Sequence, residues 1–196
     1  MNIAFLASYN GSSAKAITEA CFNGDLVASP VLLITNNASA GALEWAENFG
    51  LKTAILNNVK YPDPSELDQK IADKLKENKI NLVICSGYMK LIGNNTIDAV
   101  DGKILNIHPA LLPKHGGKGM YGIHVHTAVK EAGDKETGAT IHLVNDEYDK
   151  GRIIAQKSVP VLETHKVEDI ENKVRALEPE LYVETIQKIT KGNIEL

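Results

Sequence analysis

The chain alternates short apolar runs with stretches of helical spacing, and this alternation constrains its fold more than any other feature. Residues 3–7 (IAFLA) are continuously apolar, and 80–85 (INLVIC) nearly so. Such runs suit strands covered on both faces. After the first run, the loop SYNGSS (8–13) leads to Ala14, Ile17 and Cys21 at helical spacing, stopped by Asn23-Gly24. The pattern predicts a second strand at 31–35, a helix at Ala42–Asn48 and a third strand at 52–56. Ser65 reads as the cap of a helix with Leu67, Ile71 and Leu75 on one face. A helix at 95–100 separates the fourth strand from a fifth that begins at Ile104. Repeated units of this length predict a parallel sheet with right-handed crossovers, so the first ~100 residues are expected to be Rossmann-like.

The second half reads differently. Val125, Ala128 and Val129 lie on one side of a helix, and 139–145 (ATIHLVN) is a strand. The turn DEYDKG (146–151) then leads into extended segments at 152–156 and 159–162. Strands joined by so short a turn pair antiparallel. Residues 167–191 are mostly helical, with Pro179 expected to start a second helix. The predicted class is α/β: a Rossmann-like, mainly parallel sheet with flanking helices and an antiparallel carboxyl-terminal portion.

At 196 residues the chain suits one domain, and its 43% apolar and 23% charged content is that of an ordinary globular protein. A net charge of −4 argues against general nucleic-acid binding and against docking on anionic membranes. No apolar run approaches the roughly 20 residues of a membrane span. Met1 runs directly into a strand, with no secretory leader pattern. Cys21 and Cys85 read as two buried free thiols, which fits a cytoplasmic protein.

Three stretches carry candidate chemistry. In NIHPALLP (106–113), Pro109 biases His108 toward extended geometry at a strand's end. Asn106 and His108 then share one face. This is either a satisfied polar turn or an amide and an imidazole poised to stabilise an oxyanion. SYNGSS is either an ordinary turn with a capping serine or a cradle for one phosphate. It is neither GxGxxG nor a P-loop, so a dinucleotide or nucleoside triphosphate is not indicated. SGYMK (86–90) offers a bend where a ligand reaches backbone, with Met89 as adaptable surface. HGGKGMYG (115–122) is either flexible or held close to something. His124 and His126 diverge on a helix, so no metal site is expected. His142 is taken as a strand-face residue without chemistry, and Trp45 as packing.

Together, NIHPALLP, the DEYDKG exit and the opening IAFLASYNGSS resemble the phosphoribosylglycinamide formyltransferase family of folate-dependent enzymes. The resemblance covers nearly the whole chain. It implies a single formyltransferase domain over 1–196, with a phosphate-binding half (about 1–100) and a catalytic, folate-binding half (about 101–196). It implies formyl transfer from N10-formyltetrahydrofolate to the primary amine of glycinamide ribonucleotide, in purine biosynthesis. Asn106, His108 and Asp149 would be the catalytic set. Gly11, Ser12, Ser13 and Glu178 would bind the ribonucleotide. Met89, Lys90, Leu91, Ile92, Asn106, Val144 and Asp146 would line the folate site. No metal, nucleic acid or membrane is implied, and the chain is expected as a monomer or homodimer.

The sequence departs from the family at several places. Tyr9 stands where glycine is common, Ser13 where asparagine is, and Lys90 replaces an arginine. Pro64 falls near a common folate-contacting arginine, and HGGKGMYG is longer than its counterpart in some members. The chemistry agrees with the residues: a carboxylate beside His108 is expected to raise its pKa and favour the imidazolium. Neither cysteine is placed as a nucleophile. The alternatives are another formyl-tetrahydrofolate transferase or hydrolase and, in a different class, a non-catalytic Rossmann-type nucleotide-binding module. The hydrolase would usually carry an amino-terminal regulatory domain and the methionyl-tRNA enzyme a carboxyl-terminal one; with a first strand at Asn2 and an end at Leu196, neither is expected. The missing glycine fingerprint disfavours an NAD-dependent oxidoreductase.

Overall fold

The computed structural model describes residues 1–196. In chain order the elements are β1 (Asn2–Ala7), α1 (Ser12–Phe22), β2 (Ser29–Thr35), α2 (Ala42–Asn48), β3 (Lys52–Ile55), α3 (Pro64–Glu77) and β4 (Leu82–Cys85). Then come α4 (Asn94–Asp98), β5 (Ile104–His108), α5 (Ile123–Glu131), β6 (Glu136–Leu143), β7 (Ile153–Pro160) and α6 (Val167–Thr190).

The strands form one sheet in the order β3-β2-β1-β4-β5-β6-β7. The first five run parallel. β6 and β7 are antiparallel to their neighbours, as the short turn between them predicts. The parallel part reverses direction of winding between β1 and β4, the position where open α/β sheets bind ligands.

β1 shows why its run is apolar throughout. Ile3, Phe5 and Ala7 point into one layer, with Trp45 of α2 and Val174, Leu181 and Tyr182 of α6. Ala4 and Leu6 point into the other, with Ile71 and Leu75 of α3. A strand with helices on both sides has no face left for water.

Three local expectations are corrected. Ser65 is not the cap of α3: Asp63 is, its Oδ1 accepting from Ser65 N–H at 2.9 Å, with Pro64 at the first helical position. Pro64 is there because its missing N–H belongs to the unpaired first turn. Pro179 starts no second helix, for α6 runs through it. Proline removes one helical hydrogen bond, at about 3 kcal/mol. Burial of Val174, Leu177, Leu181 and Tyr182 around it outweighs that loss. The two extended carboxyl-terminal segments are likewise one strand, β7.

Candidate active site

The carboxyl ends of β1, β2 and β4 are tied together by one hydroxyl. Ser8, at the exit of β1, donates from Oγ to Asn36 Oδ1 at 2.6 Å and accepts from Met89 N–H at 2.9 Å. The loop after it turns into α1 at Gly11, whose φ is +60°. A side chain there is strained by that backbone and would press on Ala7 and Ala42. Trp45 packs in the core, and its Nε1–H also holds the loop by donating to Asn10 O at 2.9 Å. Lys15 N–H starts the helical ladder at Gly11 O, and Ala14 N–H donates to Ser86 Oγ. The Ser12 and Ser13 N–H groups precede that ladder, at the end of a helix where anions are favoured.

The second cluster is built across β5 and β6. The antiparallel register sets Asn106 opposite His142 and His108 opposite Thr140. All four therefore share one face. Asp149 arrives from the β6–β7 turn with φ +58°, a left-handed conformation that aspartate tolerates. Gly151 follows because a Cβ there would lie 1.7 Å from Leu143 O. That close approach folds the DKG turn back over β6. The PALLP segment is held down by Thr140: its Oγ1 donates to Ala110 O and accepts from Leu112 N–H at 3.0 Å.

Backbone carbonyls set both imidazole tautomers. His108 Nε2–H donates to His115 O at 2.7 Å, and His142 Nδ1–H donates to Leu143 O at 2.9 Å. A carbonyl only accepts, so each of those nitrogens carries the hydrogen. The other nitrogens face Asp149. His108 Nδ1 is 3.3 Å from Oδ2, and His142 Nε2 is 3.4 Å from Oδ1. Asn106 Nδ2 lies 3.3 Å from the same His142 Nε2. Gly117 N–H donates to Asp149 Oδ2 at 3.0 Å. A proton entering this cluster finds a basic nitrogen on either side of one carboxylate.

Burial pushes the Asp149 carboxyl up, yet the His142 and His108 rings beside it and the Gly117 N–H hold it below the usual carboxylate range. For His108 the expected rise is reversed. Burial outweighs the pull of Asp149 and of the His115 carbonyl, and lowers the imidazole below its ordinary value. With only 3% of its surface exposed, water does little to solvate the imidazolium. His108 is therefore held in its neutral form more readily than an ordinary imidazole. Cys85, buried, has its thiol pushed up to about 12, and burial raises Cys21 as well. Neither is a ready thiolate nucleophile.

A cavity of about 90 Å³ opens in front of this cluster. Asn106, His142 and Asp149 are part of its polar wall, with Lys90, Asn145 and Glu147, and Tyr88, Leu91, Ile92 and Val144 are much of its apolar one. A larger recess of about 310 Å³ shares Tyr88, Lys90 and Leu91 with it. A concave site with apolar and polar groups converging on it suits a small-molecule ligand.

The sequence matches the formyl transferase family over residues 1–186. The chain belongs to the formyl transferase family. It is 35% identical over 194 residues to the phosphoribosylglycinamide formyltransferase of Haemophilus influenzae, covering 99% of this chain and 89% of that one. The chloroplastic phosphoribosylglycinamide formyltransferase of Arabidopsis thaliana is 39% identical over 194 residues, covering 98% of this chain and 66% of that one. The chain thus spans less than two thirds of the length of the plant relatives it matches. Glycinamide ribonucleotide transformylase 1 of Symbiobacterium toebii superposes with a TM-score of 0.92 at 32% identity, covering 100% of this chain and 90% of that one. The mixed sheet is the fold of this formyl transferase.

In this chain Asn106, His108 and Asp149 come together as one cluster, joined by His142. Of the expected folate-site residues, Lys90, Leu91, Ile92, Asn106 and Val144 line the cavity, while Met89 and the exposed Asp146 do not. Gly11, Ser12 and Ser13 sit at the start of α1, and Glu178 lies on α6. The expectation for His142, a strand-face residue without chemistry, does not include its contacts with both Asn106 and Asp149. The signal was parity: His142 shares its strand face with Thr140, and only the β5–β6 register shows what that face meets. His124 and His126 diverge as expected. His126 is buried, while His124 packs edge-on against Tyr121.

Proposed function

We propose that the chain transfers a formyl group from N10-formyltetrahydrofolate to the primary amine of glycinamide ribonucleotide, the reaction named for its Haemophilus relative. The observation that carries this reading is the carboxylate of Asp149 held between His108 and His142, with Asn106 beside it on the cavity wall. The concave site fits a folate, with Lys90 at its rim to meet an anionic tail. The bound folate supplies the formyl group and a leaving nitrogen.

The residues divide the work. The Ser12 and Ser13 N–H groups, with the backbone of Gly11, hold the substrate phosphate. As the amine attacks, a carbon–nitrogen bond forms and negative charge develops on the formyl oxygen. The Asn106 amide donates to that oxygen, a contribution of about 10²–10³ in rate for a single such donor. The amine must shed one proton. The Asp149–imidazole cluster takes it, directly or through water, and returns it to the folate nitrogen as the old carbon–nitrogen bond breaks. While it holds that proton, the imidazolium adds positive charge near the oxygen. Glu178 meets the glycinamide end. The reading includes one formyltransferase unit with a phosphate-binding and a catalytic half, monomeric or homodimeric. It also includes a cytoplasmic setting, which suits two free thiols. No helix is long and apolar enough to cross a membrane.

The test is release of tetrahydrofolate from the formyl donor, followed by absorbance, with and without glycinamide ribonucleotide. Release that depends on the ribonucleotide supports the reading. Release into water without it would mean a hydrolase, and no release at all would remove the assigned reaction.

A further inference from the structure

We propose that Asp134, in the turn between α5 and β6, is a positioning residue for His108 and acts through His115. The inference rests on the role given to His108 above. Asp134 Oδ2 accepts from His115 Nε2–H at 2.7 Å, and Oδ1 accepts from Lys114 Nζ at 2.9 Å. One carboxylate thus clamps two consecutive side chains. The His115 and Asp134 side chains are 16% and 17% exposed, so their contact lies at the surface but only partly open to water. The His115 hydrogen bond, with that of Lys114, holds Asp134 below the usual carboxylate range.

The clamped segment touches both members of the catalytic pair. His115 O is the acceptor for His108 Nε2–H, and Gly117 N–H, two residues on, is a donor to Asp149. Between them Gly116 is wedged, since a Cβ there would lie 2.4 Å from a Leu112 methyl and 3.4 Å from Asp149 Cβ. His115 has φ +54° without being a glycine. A left-handed backbone is uncommon at a residue other than glycine, and the surrounding contacts help to sustain it here. The glycines that follow give no stiffness to the strap. The side-chain bond to Asp134 is what holds His115 in that conformation, and the conformation aims its carbonyl at His108.

The consequence is a tautomer. With His115 O in place, the hydrogen of neutral His108 belongs on Nε2 and the basic Nδ1 faces Asp149. Without the anchor the carbonyl turns away, and the hydrogen is free to move to Nδ1, where the Asp149 carboxylate attracts it. The nitrogen that must take up the proton is then already occupied.

The experiment compares the full chain with Asp134→Ala, Asp134→Asn and His115→Leu. Nitrogen NMR of the His108 ring reads the tautomer directly, and steady-state kinetics give kcat and KM separately. Asp134→Ala and His115→Leu are expected to move His108 from the Nε2–H form toward the Nδ1–H form. Both should lower kcat about tenfold and leave each KM within about twofold, as for loss of a transition-state contribution. Asp134→Asn keeps an acceptor for His115 and should restore the tautomer and most of the rate. His115→Leu decides the matter if Asp134→Ala does not fold. Unchanged His108 signals with unchanged kcat in the folded variants overturn the proposal. A tautomer change in a chain whose wild type transfers no formyl group would uphold the positioning role and overturn the function assigned above.

Discussion

His108 Nδ1 lies 3.3 Å from Asp149 Oδ2, a contact between the last residue of β5 and a turn more than forty positions later. The neighbouring nitrogen, Nε2, is already committed to His115 O. The ring is therefore held at both ends, and only Nδ1 is available to exchange a proton with the carboxylate.

His108→Ala and Asp149→Asn should each cut turnover by about 10²–10⁴, the range for losing a positioned acid–base group. Asparagine tolerates the left-handed conformation at 149, so that variant keeps its turn. Circular dichroism should show an unchanged fold in both. Near wild-type turnover in either would remove the assigned mechanism.

The pH profile follows from the lowered His108. A base works only when neutral, so kcat/KM should fall toward acid through the pKa of His108. Because burial lowers that value, the acid limb should lie below the ordinary imidazole value of about 6.5. A limb above that value would mean that Asp149 prevails over burial in the working enzyme.

Gly11→Val should act on binding. It adds a β-branched side chain at φ +60°, beside Ala7 and Ala42, where the phosphate loop enters α1. The KM for glycinamide ribonucleotide is expected to rise about tenfold or more, equivalent to roughly 1.4 kcal/mol, while folate affinity changes little. Equilibrium binding of each ligand by calorimetry separates the two. An unchanged affinity for the ribonucleotide would remove the phosphate cradle.

Glu178 links stability to pH. Burial, only partly offset by Arg175, raises its carboxyl to about 7, against a usual value of 4.5. The folded chain therefore keeps a proton there that the unfolded chain loses. Its stabilising effect is full below about 4.5 and is lost as the pH rises to about 7. Glu178→Gln should raise stability at pH 8, by on the order of 1 kcal/mol, and change it little at pH 4. Denaturant unfolding at the two pH values checks this. An equal effect at both would mean that Glu178 is ionised throughout.

Much of the fold was legible because each cause is local. The unbroken apolar run at 3–7 requires two covered faces, and the six-residue turn DEYDKG permits only an antiparallel return. Asn106 and His108 shared a face by strand parity, and Pro109 set where that strand ends. Where a reading failed, a distant group had prevailed over local propensity. Pro179 sits inside α6 because Leu177, Leu181 and Tyr182 bury around it. Tyr182 also places its hydroxyl 2.8 Å from Cys85 O and 3.3 Å from Leu105 O, tying β4 to β5 from α6.

The sequence by itself determined the α/β class and the shared strand face of Asn106 and His108, and its family resemblance pointed to Asp149 as their partner. Only the tertiary structure decided that His142 joins them, that His108 is more easily deprotonated than a free imidazole, and that Asp134 reaches the site through His115. The reason is physical. Strand parity and turn chemistry are written in neighbouring residues. Burial and hydrogen-bond partners depend on which strands pair and in what register, and those contacts exist only once the chain has closed on itself.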